Sequence, residues 1–300
     1  MAITKTILFL IVSILIGCTG KPTETTVSSS VVGVLATETS MEAAVLPPVD
    51  VIMATGTGVE TPVASSGEAI LIEYLKDKST ASTHLRLPLG DFTDFTPLLA
   101  YKDLEFLDID NFLLSDISGI VVLSKLEKLE SLWIWASKIT NIEPISVLIK
   151  LKDLNLDVAN NCISGSELLP LTQLEILTFH PTSAVTIEHI AALANLRELN
   201  LFLEAEGLDI SPIQQLVNLE RLEIGTPDYT SYELDLKGFE KLENLKWVTL
   251  SGVIRDIRPL INLPRLETAD LRFAEVSEEQ LKLLRAKRSI SVYDHDERGH

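Results

Sequence analysis

The middle of the chain repeats one order of apolar and polar positions. Segments of the form L-x-x-L-x-L recur at intervals of 21 to 26 residues, and LEFLDI, LESLWI and LRELNL are examples. They begin at Leu104, Leu129, Leu151, Leu174, Leu196, Leu219, Leu245 and Leu266. The last letters of each segment alternate between apolar and polar residues, which is typical of a short strand with one buried face. The repeat therefore predicts eight short strands.

A second pattern recurs between these strands. It reads TDFTPL at 93–98, SDISGI at 115–120, TNIEPI at 140–145, LDISPI at 208–213 and RDIRPL at 255–260. An Asp or Asn can cap a turn, and a proline can begin a short helix. The pattern predicts short helical turns whose Ile and Leu side chains point inward.

Together the two patterns resemble leucine-rich repeats of the 22-residue, internalin-like class over about residues 82–293. The resemblance implies an α/β fold, a leucine-rich repeat solenoid. This is a curved horseshoe with a parallel β-sheet on the concave face and short helical or 3-10 turns on the convex face. The family commonly has Asn three residues after the last strand Leu. Here that position holds Ser137, Ala159, Thr182, Glu204, Pro227 and Val253. We therefore expect turns that are less regular than in the family.

Stacked repeats share one core, and the two ends of that core need covers. We expect an N-terminal cap and incomplete repeat at 67–103, leucine-rich repeats at 104–276, a C-terminal cap helix and strand at 277–293, and a tail at 294–300. The first cap is predicted at 69–78, and the incomplete repeat that follows it is expected to have Leu85 and Leu87 facing inward. At the other end, SEEQ at 277–280 is a capping-box pattern. Residues 290–293 are expected to add a last strand.

The first residues have the pattern of an export signal. Lys5 precedes an apolar run at 7–16 that is too short to span a bilayer, which needs about 20 residues. The following LIGC at 15–18 resembles the lipobox of bacterial lipoproteins. The resemblance implies that residues 1–17 are a signal peptide and that Cys18 carries a diacylglyceryl group with fatty acids such as palmitate. An extracytoplasmic protein anchored to the cell membrane or outer membrane is expected, and a plain signal peptide is the alternative.

Residues 18–66 form a segment of different composition. They are rich in Thr and Ser, and they contain no aromatic residue. The first aromatic residue after this segment is Tyr74. Such a segment cannot bury enough apolar surface to fold. It is predicted to be a disordered tether behind Cys18, spanning on the order of 40 Å.

Charge and composition exclude several classes of function. The chain has 43 acidic and 25 basic residues and a net charge of −18, which argues against nucleic-acid binding. Two cysteines and five histidines, without metal-ligand spacing, predict no metal site. No catalytic motif is present, so no cofactor and no enzymatic activity are predicted. A site built on Cys162 or His180 is the remaining enzymatic hypothesis.

The third, fifth and seventh letters of each L-x-x-L-x-L-x segment should face outward on the concave side, because side chains alternate across a strand. All three tryptophans of the chain fall on such positions. The candidate partner-binding residues are Trp133, Trp135, Asp108, Asp110, Asp153, Asp157, His180, Phe202 and Trp247.

This set favours binding of a macromolecule, and a protein is the first hypothesis. Exposed apolar patches mark interfaces, and indole rings between carboxylates suit a basic surface through cation–π attraction. The same rings could stack on sugars, so a glycan or cell-wall binding module is the alternative. A third interpretation is that the tryptophans only pack laterally on their cross-strand neighbours.

Overall fold

The structure is a computed structural model, and it describes residues 67–158, 164–181, 184–226, 232–287 and 289–294. The predicted signal peptide, Cys18, the tether up to residue 66, Cys162 and the tail after Asp294 lie outside the described residues. None of the helices described is both long and apolar enough to cross a membrane.

The described residues form one sheet of ten parallel strands that follow each other in chain order. The strands are β1 His84–Arg86, β2 Phe106–Asp110, β3 Ser131–Ala136, β4 Asp153–Val158, β5 Ile176–Phe179, β6 Glu198–Phe202, β7 Arg221–Gly225, β8 Trp247–Ile254, β9 Thr268–Val276 and β10 Ser291–Tyr293. Every predicted L-x-x-L-x-L segment contributes one of them. The incomplete repeat and the C-terminal cap supply β1 and β10.

Matching letters of successive repeats pair across the sheet. Leu107 lies opposite Leu132, which lies opposite Leu154, and this register continues to Leu222 opposite Val248. These side chains are buried in one continuous apolar core. The predicted leucine-rich repeat solenoid is confirmed, because each repeat contributes one strand to the sheet and one row of leucines to the core.

Short helices connect the strands. The α-helices are α1 Gly67–Lys76, α2 Ala184–Ala191, α3 Arg258–Ile261 and α4 Glu278–Arg285. The 3-10 helices are Thr96–Ala100, Ser118–Lys125, Glu143–Val147, Ser166–Leu168, Ser211–Gln215 and Phe239–Lys241. Their buried residues, such as Ile120 and Ile145, join the same core.

The predicted capped turns are confirmed. Asp94 accepts a hydrogen bond from the backbone N–H of Thr96 at 2.8 Å, where a 3-10 helix begins, and Asp116 accepts one from Ser118 at 2.7 Å. Asn141, Asp209 and Asp256 make the same contact two residues ahead. Hydrogen bonds from Thr96 hold the pKa of Asp94 below its ordinary value. These carboxylates and the amide fix where each helical turn starts.

The repeats depart from regularity at two positions where polar side chains are buried. Asn111, in the first full repeat, bridges backward to Gly90 with a 2.7 Å hydrogen bond from its amide to the carbonyl. Ser251 of β8 is buried beside a shift in the register between β8 and β9. There it accepts a 2.7 Å hydrogen bond from the backbone N–H of Thr226. The expectation that this outward letter is accessible is therefore wrong for Ser251, because the side chain packs against Thr226 of the preceding repeat.

The C-terminal cap differs from its prediction in two details. Ser277 accepts a hydrogen bond from the N–H of Gln280 at 3.4 Å, as in a capping box. The Gln280 side chain instead bonds the preceding repeat, where it accepts from the N–H of Ile257 at 2.8 Å and donates to Arg255. Asp294, assigned to the tail, is nearly buried and forms an ion pair with Arg285. The Gln280 contacts attach the cap to the preceding repeat, and the ion pair joins the cap helix to the residue that follows β10.

Candidate functional site

One face of the sheet turns away from the core, and we name it the open sheet face. Its third-letter row, from β1 to β10, is His84, Phe106, Ser131, Asp153, Ile176, Glu198, Arg221, Trp247, Thr268 and Ser291. Its fifth-letter row is Arg86, Asp108, Trp133, Asn155, Thr178, Asn200, Glu223, Thr249, Asp270 and Tyr293. Its seventh-letter row includes Asp110, Trp135, Asp157, His180, Phe202 and Gly225.

The predicted alternation holds along β1 to β7. In β3, for example, Leu132 and Ile134 are buried while Trp133 and Trp135 are accessible. The alternation fails in β9, where Thr268 and Asp270 are nearly buried. The open sheet face is therefore most accessible on its first seven strands.

Trp133 is held in place by its neighbours. Its ring meets Phe106 edge-on with 5.1 Å between centroids, and its Nε1–H donates to Asp153 at 3.1 Å. The hydroxyl of Ser131 donates to the same carboxylate oxygen at 2.8 Å. These contacts favour the lateral-packing interpretation for Trp133 and give Asp153 a positioning role.

Trp135 has different surroundings. Asp110 and Asp157 lie opposite it on the two neighbouring strands, and 39% of the residue is exposed. Among the described residues, neither a hydrogen bond nor a ring contact engages its indole. Two tryptophans of one strand thus have different environments, and Trp135 is the one available to a ligand.

The acidic residues before the tryptophans are paired with Arg86. Its guanidinium lies 3.5 Å from Asp108 and also contacts Asp110. Burial raises the pKa of the Asp108 carboxyl, Arg86 opposes that rise, and Asp110 adds to it. Both predicted carboxylates are therefore already compensated by a charge of the protein itself.

Trp247 stands apart from the other two tryptophans. It is on β8, five strands from β3, or roughly 24 Å at the usual strand spacing. The guanidinium of Arg221 lies 5.1 Å from its ring centroid, and its Nε1–H donates to Thr249 at 3.1 Å. The structure does not bring Trp247 together with Trp133 and Trp135.

His180 and Phe202 form a second aromatic group. Their ring centroids are 5.0 Å apart with planes tilted by 30°, and Nδ1 of His180 lies 3.5 Å from Glu204. Phe202 lies over Gly225, where an added Cβ would come within 2.7 Å of the Phe202 ring. The missing side chain at residue 225 lets the Phe202 ring lie close to the sheet. The repeat pattern alone did not predict this role of Gly225.

Trp135 and Phe202 border one depression of about 260 Å³ in the open sheet face. Its lining residues are Trp135, Asn155, Asp157, Thr178, Asn200, Phe202 and Glu223. It thus combines three of the predicted residues, Trp135, Asp157 and Phe202. Asn200 and Glu223 occupy outward letters of the repeat but were not selected, because nothing in their own segments distinguishes them.

The floor of this depression is electrostatically unusual. Burial raises the pKa of the Glu223 carboxyl above its ordinary value, Arg221 opposes the rise, and Asp270 and Glu198 add to it. The amide nitrogen of Asn200 donates to Thr178 and Glu198, both at 3.2 Å. Its amide oxygen is buried without a hydrogen-bond partner among the described residues. The depression therefore presents desolvated acceptors.

A metal centre is not indicated in the part of the chain that the structure describes. No group of three or more His, Cys, Asp or Glu side chains there has an arrangement that could hold an ion. The acidic residues of the open sheet face are spread along three rows, which separates their oxygens.

Comparisons with known proteins define the fold class. No protein-family model and no curated protein matches the chain. Among solved structures, a leucine-rich repeat protein from Leptospira interrogans has a TM-score of 0.50 and 20% identity, over 68% of this chain and 58% of that one. This likeness shows the fold, which is that of a leucine-rich repeat solenoid.

Two internalins of Listeria monocytogenes are also similar. Internalin C2 has 24% identity and a TM-score of 0.48, covering 62% of this chain and 79% of that chain. A second internalin has 19% identity and a TM-score of 0.41, covering 76% of this chain and 87% of that chain.

Proposed function

We propose that the protein is a binding module that docks a partner protein on its open sheet face. The observation that carries the proposal is the depression bordered by the exposed rings of Trp135 and Phe202, of which Trp135 makes neither of the contacts that hold Trp133. Exposed aromatic residues of this kind mark interaction sites. Their strands belong to a continuous sheet, so little order has to be gained on binding.

The first test is capture of cell-surface and host proteins on the immobilised full chain. The Trp135→Ala, Phe202→Ala double variant should fold, because both side chains point away from the core, and should lose the partner. The matched control is the Phe112→Ala, Ile149→Ala double variant, since these two residues are each 57% exposed and lie outside the three rows of the face. The control should retain the partner.

Three other results would contradict this assignment. Equal retention by the parent and by the Trp135→Ala, Phe202→Ala variant would move the interface elsewhere. Loss in the control as well would indicate non-specific apolar adsorption. Retention of a polysaccharide in place of a protein, lost with the same two rings, would identify a glycan-binding module.

We further propose that the mature protein is a lipoprotein anchored to a bacterial membrane from outside the cytoplasm. The LIGC segment that ends an apolar run supports this proposal, since it matches a lipobox in sequence and in distance from the N-terminus. In this proposal Cys18 carries the lipid and residues 19–66 hold the repeat domain away from the membrane. One acyl chain gives only weak binding, whereas a diacylglyceryl group supplies two.

The anchor is tested by expressing the full chain in a bacterium fed radiolabelled palmitate. The parent should incorporate label and partition into the detergent phase, and Cys18→Ser should do neither. Cys162→Ser is the matched control because it removes the other cysteine of the chain, and it should behave as the parent does. Label that persists in Cys18→Ser would contradict the proposal.

A further inference from the structure

We propose that the depression between Trp135 and Phe202 binds the guanidinium group of an arginine side chain on the partner. This inference rests on the proposed function and specifies the group that the site recognises. Three features of the depression support it: the charges that line it, its two rings and its size.

The arginines of the open sheet face are all occupied outside the depression. Arg86 pairs with Asp108 and Asp110, as described. Arg221 lies 3.7 Å from Glu198 and stacks on Trp247, and Arg272 lies 2.6 Å from Asp270. These three arginines thus compensate acidic residues on either side of the depression, on β1 and β2 and on β6 to β9.

The depression itself contains acids but no base. Its lining includes Asp157 and Glu223, and no lysine or arginine belongs to it. Among the described residues, neither carboxylate takes part in a hydrogen bond or an ion pair. Arg221, the base that opposes the pKa rise of Glu223, makes its close contacts with Glu198 and Trp247. A half-buried carboxylate without a partner is costly, and a bound cation offsets that cost.

The two rings favour guanidinium over ammonium. Trp135 and Phe202 belong to β3 and β6, so roughly 14 Å separates their Cα atoms at the usual strand spacing. An arginine has an apolar stem that packs on one ring and a planar cationic end that stacks on the other. That end also donates paired hydrogen bonds to a carboxylate, which a lysine ammonium cannot do in the same plane.

The size of the depression agrees with one side chain. Its volume of about 260 Å³ lies below the roughly 300–1,000 Å³ of sites for drug-sized molecules. A partner would therefore insert a single residue here while the rest of its surface lies over the neighbouring strands.

The test uses the full chain with Trp133→Phe and Trp247→Phe, which leaves Trp135 as its only indole. Its emission is followed while the capped tripeptides Gly-Arg-Gly, Gly-Lys-Gly and Gly-Glu-Gly are added. The arginine peptide should shift the emission and bind about tenfold more tightly than the lysine peptide, a difference expected for stacking plus paired hydrogen bonds. The glutamate peptide should leave the emission unchanged.

The charge requirement is tested with Asp157→Asn plus Glu223→Gln in the same background. These conservative changes keep the shapes of both side chains and should weaken the arginine peptide at least about tenfold. The matched control is Glu127→Gln plus Glu243→Gln, which removes the same charge from two exposed glutamates in the turns before β3 and β8. It should change the affinity little.

Three results would overturn the inference. Equal affinity for the arginine and lysine peptides would indicate general electrostatic attraction, as would equal weakening by the control pair. Unchanged Trp135 emission with every peptide would exclude the site, and partner capture that still depends on Trp135 and Phe202 would then leave the proposed function standing.

Discussion

Asn111 shows how one side chain can join two repeats. Its amide oxygen accepts from the N–H of Gly90 at 3.3 Å and from that of Leu113 at 3.1 Å, and its nitrogen donates to Gly90 and Pro88. The residue is fully buried. It therefore satisfies backbone groups of two successive turns that water cannot reach.

We expect Asn111→Ala to lower the free energy of unfolding by about 2–4 kcal/mol, because buried backbone groups lose their partners. Urea unfolding followed by circular dichroism measures the change. Asn141→Ala is the comparison, since the Asn141 side chain accepts one hydrogen bond at an exposed turn, from Glu143. A smaller effect at Asn111 than at Asn141 would contradict the bridging role.

Glu223 is predicted to reduce stability at neutral pH. Its pKa is raised in the folded protein, so the unfolded chain favours the charged form and stability falls as pH rises through the folded pKa. Glu223→Gln should therefore raise the thermal midpoint at pH 7. The gain should shrink as the pH falls toward 4.5 and below, where the carboxyl is protonated in both states. A gain that is independent of pH would show that burial of the charge is not its cause.

Gly225 controls the position of an aromatic ring. A methyl group there would approach the Phe202 ring to 2.7 Å, so Gly225→Ala should push the ring away from the sheet. Because Phe202 is at the surface, we expect weaker partner binding with little change in the urea midpoint. Gly90→Ala, whose added Cβ comes no closer than 3.4 Å to the nearest atom, serves as a binding control. Unchanged binding in Gly225→Ala would mean that the ring position is not important for the partner.

At the scale of the elements, the residues directly before strands β3 to β8 form an ordered row of charges. The row consists of Glu130, Lys152, Glu175, Arg197, Glu220 and Lys246. Each residue donates its N–H to the carbonyl of the one before it, for example Lys152 to Glu130 at 2.8 Å. Their side chains pair in the same order, with Arg197 2.9 Å from Glu220 and Lys246 2.6 Å from Glu220. Since the repeats have similar apolar letters, the alternating signs favour one order of neighbours.

Lys152→Glu should disturb this row, because it places a third acid between Glu130 and Glu175. We expect a lower thermal midpoint in low salt and a smaller difference in 1 M salt, where the Debye length is about 3 Å. Lys150→Glu makes the same charge change at a neighbouring exposed position and should have less effect. An equal effect of the two changes would contradict the pairing.

The element scale also shows which features the sequence could predict. Strand positions followed from L-x-x-L-x-L because burial of the leucines fixes both the strand and its orientation. The burial of Ser251 did not follow, since it depends on contacts with Thr226 in another repeat. For the same reason Trp133, Trp135 and Trp247 occupy equivalent outward letters but differ in their surroundings. The sequence could therefore predict which face of the sheet is open, but not which residues of that face line the depression.

At the scale of the molecule, stability depends on covering the ends of one shared core. Leu284 of α4 is fully buried and Leu283 beside it is 49% exposed. We expect Leu284→Ala to cost about 2–5 kcal/mol, the usual range for such a cavity, and Leu283→Ala to cost little. In hydrogen exchange, Leu284→Ala should expose β10 and β9 before the central strands. Uniform loss of protection along the sheet would contradict repeat-by-repeat stability.

The sequential strand order also determines how the domain yields to force. In the described sheet each strand pairs with the strands before and after it in the chain, so a pull on the C-terminal end loads β10 and then β9, and the load moves inward one repeat at a time. Releasing a repeat of 21 to 26 residues lengthens the chain by roughly 70–90 Å. A partner bound to the middle strands would stay bound while the outer repeats unfolded one after another. The protein would therefore be extensible under tension.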